Sequence, residues 1–379
     1  MIALRLLCVL VAFVALLAVA ARAADAPPKP ADYTITGPFV HDNLTLFLIH
    51  GPDRIKGKVY LTLQEAMEQK KVIVHETGEV NQLSIENVSN DDVYIQSGDI
   101  VKGGRQDRTI KYDLICSAHS GKMPLDSFCV ESGRWQQRGG EAAGYFANSN
   151  NNLSSKSLKI AAKGAGDQSA VWQEVAVAQA KLSSNAGGSV NSAESATSLQ
   201  LSLENKKVQE AIDATQKALV QLPEGKSVIG YAFAINGKLN SVDIYVSSAM
   251  FMKMWPKNLQ AAGTEAFAEF KKDAKFEPVK AEVVRTCLDD ASKGKQTSQD
   301  LNQRIRLVTR ESKDNWQYET YDAKTAAPAH INIITRDPEA ERIMQRRQEA
   351  PQRQQQFDNN NNQRPNPQPQ QPNPAPRQP

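Results

Sequence analysis

Tyr231-Ala232-Phe233-Ala234-Ile235-Asn236-Gly237-Lys238-Leu239 decides the fold class. Asn-Gly between two alternating apolar runs marks a two-residue type I′ hairpin turn, because both central residues need positive φ. Such a loop pairs Ile235 with Lys238, Phe233 with Asn240 and Tyr231 with Val242. That register puts Ile229, Tyr231, Phe233, Val242 and Ile244 on one face, the expected core face.

Upstream, His41 to His50 reads as a strand through Leu44, Leu46 and Leu48, broken by Gly51-Pro52-Asp53. Thr62-Leu63-Gln64-Glu65 has the spacing of a capping box and opens a short helix to about Lys70. Val72 to His75 and Leu83 to Val88 are strands, and Asn90-Asp91-Asp92 turns the chain. Val93 to Gln96 leads to a glycine-bearing loop at Gly98. Thr109 to Cys116 and Leu125 to Glu131 are further strands, and Asn148 to Asn152 is an asparagine-rich loop. A helix spans Ser169 to about Leu182. Ser183 to Glu204 is serine-rich and poor in apolar residues, so a loop or weakly ordered insertion is expected near 183–204. Asn205 caps a helix with the stripe Val208, Ile212, Leu219 and Leu222.

Downstream of the hairpin, helices are expected at Ala249 to Trp255 and Leu259 to Lys272, separated by Pro256. Another covers Val279 to Ala291. Arg304 to Val308, Gln317 to Tyr321 and His330 to Ile334 read as late strands. Strands and helices mix without regular βαβ alternation. The expected class is therefore α+β: a single domain over residues 33–336 with a mixed, largely antiparallel sheet and packed helices.

The two ends differ from this body. Arg5, the apolar run Leu6 to Ala20 and the Ala21-Arg22-Ala23 site form a signal peptide over 1–23, cleaved after Ala23. The run falls short of the about 20 residues of a membrane span, so no stable span is expected after cleavage. The implied compartment is periplasmic or extracellular. Residues 24–32 are a proline-rich lead-in. From Pro338 the character changes: Glu339 to Ala350 is a charged exit, helical or extended, and Pro351 to Pro379 is rich in Gln, Asn, Pro and Arg, a composition that buries no core, so a disordered tail is expected over 337–379, available to other proteins or envelope polymers. The net charge of +3 on 379 residues, with no basic block in the body, gives no reason to expect nucleic acid. Export leaves Cys116, Cys129 and Cys287 in an oxidising space, an odd number. His41, His50, His75, His119 and His330 show no ligand spacing, so neither a metal nor another cofactor is expected.

The densest chemistry lies between Gly98 and Trp135. Gly103 and Gly104 let backbone N–H groups converge on an anion, and Lys102, Arg105 and Arg108 add charge around Gln106. An anionic small molecule is the expected ligand, with Arg134 and Trp135 contributing from the second segment. The alternative is a glycine hairpin loop with solvated charges. Period two puts Cys129 beside Ser127 and Glu131, where nearby arginines would activate its thiol; the alternative is a small packed residue. A Cys116–Cys129 disulfide is opposed by their parity. Asp99, Asp107 and Glu131 are the available carboxylates. Asp107 and Glu131 either move protons in a hydrolysis or pair with Arg108 and Arg134 to hold the loops. Trp135 stacks on a ligand or plugs the core rim.

Gly98-Asp99-Ile100 with Gly103-Gly104-x-Gln106-Asp107-Arg108, Cys129-Val130-Glu131-x-Gly133-Arg134-Trp135, and Gly230-Tyr231-Ala232 through Asn236-Gly237 resemble the ARG and Rhodanese-Phosphatase-superfamily-associated domain family. Gln168 with Val171-Trp172 fits as well. The resemblance covers about Tyr33 to Arg336. It implies association with ADP-ribosylglycohydrolases and rhodanese-like phosphatases, and so a setting of ADP-ribose-like or phosphorylated small molecules. Association carries no chemistry, and the export signal departs from a cytoplasmic setting. The functional expectation is binding, with hydrolysis as the reaction to test; the alternative is a non-catalytic envelope or interaction protein whose motifs are structural.

Overall fold

The computed structural model describes residues 30–55, 57, 59–225 and 227–346. The expected signal peptide, most of the expected lead-in and the expected tail beyond 346 lie outside these residues; the first part of that tail, 338–346, is instead helical and buries Ala340 and Ile343 in the core. The expected α+β class holds. An eight-stranded antiparallel sheet runs Thr34–His41, Leu44–His50, Val228–Ile235, Lys238–Tyr245, Ala327–Thr335, Asn315–Asp322, Ile305–Glu311 and Lys295–Asp300. A six-stranded antiparallel sheet runs Phe146–Asn152, Asp99–Gly103, Arg108–Ile110, Gly121–Cys129, Gln82–Asn87 and Val72–His75.

The smaller sheet closes on itself. His75 bridges Tyr145, and the Glu76 N–H donates to the Gly144 carbonyl at 3.1 Å. Leu83, Ile85, Val101, Ile110, Leu125 and Phe146 all join one buried cluster, as inward positions of a small barrel should. A third sheet of Leu61–Thr62, Val93–Ile95 and Leu114–Cys116 links barrel to large sheet. The expected single strand Thr109 to Cys116 is thus two, because Lys111-Tyr112-Asp113 carries the chain from one sheet to another.

The central hairpin forms with Ile235 opposite Lys238, but the register then departs from expectation. Ala234 faces Leu239, and Phe233 faces Ser241 rather than Asn240. Asn240 is the extra residue of a β-bulge, and a bulge reverses facing parity beyond it. Tyr231 and Phe233 therefore pack against Phe251 and Trp255, while Val242 and Ile244 face the other way, towards Val284 and Leu288. Ile229 joins them through a second irregularity, between Val228 and Gly230. The expected single core face is two faces of a sheet buried on both sides.

Helix Ser248–Ala268 covers one face and helix Ala281–Ser292 the other. The first runs unbroken through Pro256, where two helices were expected. An internal proline costs about 3 kcal/mol. Burial of Phe251, Met254, Trp255 and Leu259 outweighs it, and Gln216 Nε2 donates to the Pro256 carbonyl at 2.7 Å. The capping box closes as expected, with Thr62 and Glu65 exchanging bonds, and Asn205 caps helix Lys206–Leu219.

Two expected loops are ordered differently. The asparagine run is the strand Phe146–Asn152, recruited by pairing with Asp99–Gly103. In the serine-rich segment, helix Gln168–Asn185 runs past Ser183 and a short helix spans Leu199–Leu203. Val190, Leu199 and Leu203 of this segment are buried and Leu201 is half-buried, and Ser198 caps the short helix at the Leu201 N–H.

Gly230 sits where the neighbouring strand leaves no space for a side chain. A Cβ there would sit 2.3 Å from the Asp243 carbonyl oxygen and 2.9 Å from the Ile244 Cα. These are backbone atoms in mid-sheet and have no room to yield. Gly230→Ala is expected to lower stability in urea unfolding by at least about 1–3 kcal/mol, the range for overpacking.

Candidate functional site

Period two turns Asp107 and Arg108 to opposite sides of the barrel wall. Arg108 points inward, opposite Cys129, and is fully buried at 0% exposure. It plugs the barrel mouth. Its Nη1 donates to the Gln106 carbonyl at 3.2 Å, while Nε and Nη2 have no hydrogen-bond partner. Glu76 Oε2 lies 3.9 Å from Nη2, and Trp135 lies over the guanidinium at 5.7 Å. Arg105 stacks on Trp135 from outside at 5.3 Å, leaving the indole 44% exposed.

Asp107 points outward and is completely enclosed. Oδ1 accepts the Gly103 N–H at 3.0 Å and Arg138 Nη2 at 3.1 Å; Oδ2 accepts Arg138 Nη1 and the Ser198 hydroxyl, both at 2.9 Å. Glu131, also enclosed, accepts Arg134 Nε at 2.7 Å and the Asp107 N–H at 3.2 Å. Gln106 Nε2 donates to the Glu131 carbonyl at 2.8 Å. Arg134 also reaches the carbonyls of Gly104 and Gln136 at 3.3 and 2.6 Å. The two motif segments do fold together.

What they form is a closed clamp. The glycine loop wraps carboxylates as its composition suggests, but they belong to the chain: Gly103 N–H serves Asp107, and Arg105 N–H serves Glu76 at 3.0 Å. Gly104 N–H goes to the Ala142 carbonyl at 3.1 Å. Lys102 does not join the arginines; it pairs with Glu204 at 2.9 Å. Arg108 lies buried against the barrel interior, and Asp107 takes Arg138 as its bidentate partner, with Arg134 also at 3.7 Å. An open hollow of about 700 Å³ lies beside Arg134 and Arg138. The nearby charges are Arg134 and Arg138 against Asp107, Glu131, Glu141 and Glu194, a poor attraction for an anion.

The same enclosure surrounds the three catalytic candidates, Asp107, Glu131 and Cys129. Burial opposes ionisation of Glu131, but Arg134 and Ser195 outweigh it and hold its carboxyl below the usual range. Both Asp107 oxygens are occupied. Cys129 faces the barrel interior, not a polar surface, and burial pushes its thiol up to about 11 despite Arg108 nearby. Asp99 pairs separately with buried Lys257 at 2.6 Å. Cys116, Cys129 and Cys287 are all buried and unpaired.

Arg138, Ser198 and Glu76 escaped sequence reasoning, since only the fold brings them to the motif. So did His330, which lies between two carboxylates: Nδ1 is 2.8 Å from Asp113 and Nε2 3.1 Å from Asp243. Tyr245 stacks on the ring at 4.5 Å. Thr320 donates to Asp113 and Asn332 to Asp243, each at 2.9 Å. All three charged groups are buried, so this centre ties Asp113 of the inter-sheet connection to the large sheet. Among the described residues, no group of three or more His, Cys, Asp or Glu is placed to hold a metal ion. No helix among them is long and apolar enough to cross a membrane.

Arg138→Met leaves Asp107 enclosed without its bidentate partner. Loss of one member of a buried pair costs about 3–5 kcal/mol, and equilibrium unfolding is expected to show it. Burial opposes charge on His330, but Asp113 and Asp243 outweigh it and raise its pKa. This stabilisation is complete below the unfolded value of about 6.5 and is lost as pH rises through the folded one. Stability of the wild type, measured by urea unfolding across that range, is expected to decline with rising pH. His330→Gln is expected to flatten that slope.

No curated protein and no solved structure matches the chain. One family model does, over residues 32–327. Its description links the family by association to the rhodanese-phosphatase superfamily. The match takes in barrel, clamp and central hairpin together, and the chain belongs to the ARG and Rhodanese-Phosphatase-superfamily-associated Protein domain family.

Proposed function

We propose that this protein is an exported binding protein, and that its Gly98–Trp135 motif is a structural clamp rather than catalytic machinery. One observation carries the reading. Both oxygens of Asp107 are taken by Arg138, Ser198 and the Gly103 N–H, so this fully enclosed acid has no lone pair aimed at a substrate. A general base needs hydrogen-bond reach to the proton it removes. Glu131 is likewise locked by Arg134, and Cys129 lies behind the barrel wall with a thiol that stays protonated. A nucleophile needs the thiolate.

Arg5, the apolar run after it and Ala21-Arg22-Ala23 support export to a periplasmic or extracellular space. There the Gln-, Asn- and Pro-rich C-terminal segment offers contacts to other proteins or envelope polymers. The ligand suited to the family setting is a small anionic, phosphorylated molecule.

Incubation of the purified protein with ADP-ribose and with phosphate monoesters is expected to give no product above the buffer rate. Turnover abolished by Glu131→Gln in a protein that still folds would overturn the reading.

A further inference from the structure

On the far side of the hairpin lies a cleft of about 500 Å³, within the usual size of small-molecule sites. Its walls are the hairpin end, helix Ser248–Ala268, the start of helix Lys156–Lys159 and the helical residues 338–346. At its floor sits Glu265, 5% exposed. Oε1 accepts the Lys156 N–H at 2.8 Å and Asn240 Nδ2 at 3.0 Å. Oε2 has no hydrogen-bond partner, and neither has Asn240 Oδ1. Two buried acceptors without donors, in side chains that line one cleft, cost free energy unless something fills them.

Their placement follows from the fold. Asn240 is the bulge residue of the central hairpin, and bulges often re-aim a side chain beside a functional site. A regular hairpin would set Asn240 opposite Phe233 in the ladder. The rim carries opposite chemistry. Lys238, Lys271 and Arg342 are exposed, line the cleft and form no ion pair among the described residues. Lys156 and Lys181 are already matched by Asp337 and Glu269, leaving Glu339 as the one opposing rim acid.

We infer that this cleft binds a small phosphorylated polyol, with its hydroxyl groups at the floor formed by the Glu265 and Asn240 side chains and its phosphate held by Lys238, Lys271 and Arg342. The inference rests on the binding reading above and supplies its site and ligand class. A hydroxyl suits this floor better than an ammonium. Burial raises the pKa of Glu265 against the pull of Lys159 and Lys156. A hydroxyl both donates and accepts, so it pairs with either protonation state, whereas an ammonium needs the ionised one. The lysines and arginine supply charge-assisted bonds to phosphate oxygens.

Calorimetry with ribose 5-phosphate, ribose and inorganic phosphate tests this. The whole molecule is expected to bind at least about tenfold more tightly than either fragment. The double variant Lys238→Ala/Lys271→Ala is expected to lose about tenfold or more for ribose 5-phosphate, with its unfolding curve unchanged because both residues are exposed. Glu265→Gln, which replaces an acceptor with a donor, is expected to weaken the ribose arm as well. Should that variant not fold, the exposed pair still decides. No binding of ribose 5-phosphate at millimolar concentration, equal binding by the lysine double variant, or inorganic phosphate binding as tightly as the whole molecule would each overturn the site. Product formed in the same samples would instead overturn the non-catalytic reading and leave the site standing.

Discussion

The enclosed carboxylate of Asp107 is the constraint on which this part of the molecule depends. A buried charge without partners is costly, so the chain must bring donors to it. They come from four places: the glycine loop, Arg138, Arg134 at 3.7 Å, and Ser198. Satisfying one side chain therefore fixes the barrel edge, the 131–141 segment and the serine-rich segment against each other. Ser198 links the clamp to the helical layer, because the same hydroxyl that donates to Asp107 caps helix Leu199–Leu203.

The His330 centre does the corresponding work between the two larger sheets. Asp113 sits where the chain leaves the barrel, and Asp243 and His330 sit on neighbouring strands of the large sheet. Ionised groups in such a place specify one relative arrangement, since any slip strands a charge in an apolar core. Apolar packing alone allows more freedom: Tyr231, Phe251 and Trp255 form a broad aromatic layer whose ring contacts are less directional than ion pairs.

Rigid elements of this kind suit a recognition site that lies elsewhere. The cleft at Glu265 is framed by the hairpin and the long helix, both buried along most of their length. Side chains on such elements are held in place before a ligand arrives, which reduces the ordering cost of binding. The motif richest in charge is tied into its own ion pairs, and a quieter sequence around Asn240 and Glu265 carries two unsatisfied acceptors.

Much of the architecture was legible in the chain. The α+β class, the Asn-Gly turn, the capping box at Thr62 and the Asn205 cap follow from local rules, because each depends on neighbours within a few residues. The convergence of the two motif segments was legible too. Three things were settled only by tertiary structure. The bulge at Asn240 divided the expected core face in two, since a one-residue shift reverses every side chain beyond it. The helix ran through Pro256 because burial outweighed a local penalty. Finally, a sequence states that Asp107 and the arginines are charged, but whether such charges face water, a ligand or one another depends on which distant groups arrive first. Arg138 and Ser198 arrived, and the charges of the motif turned inward.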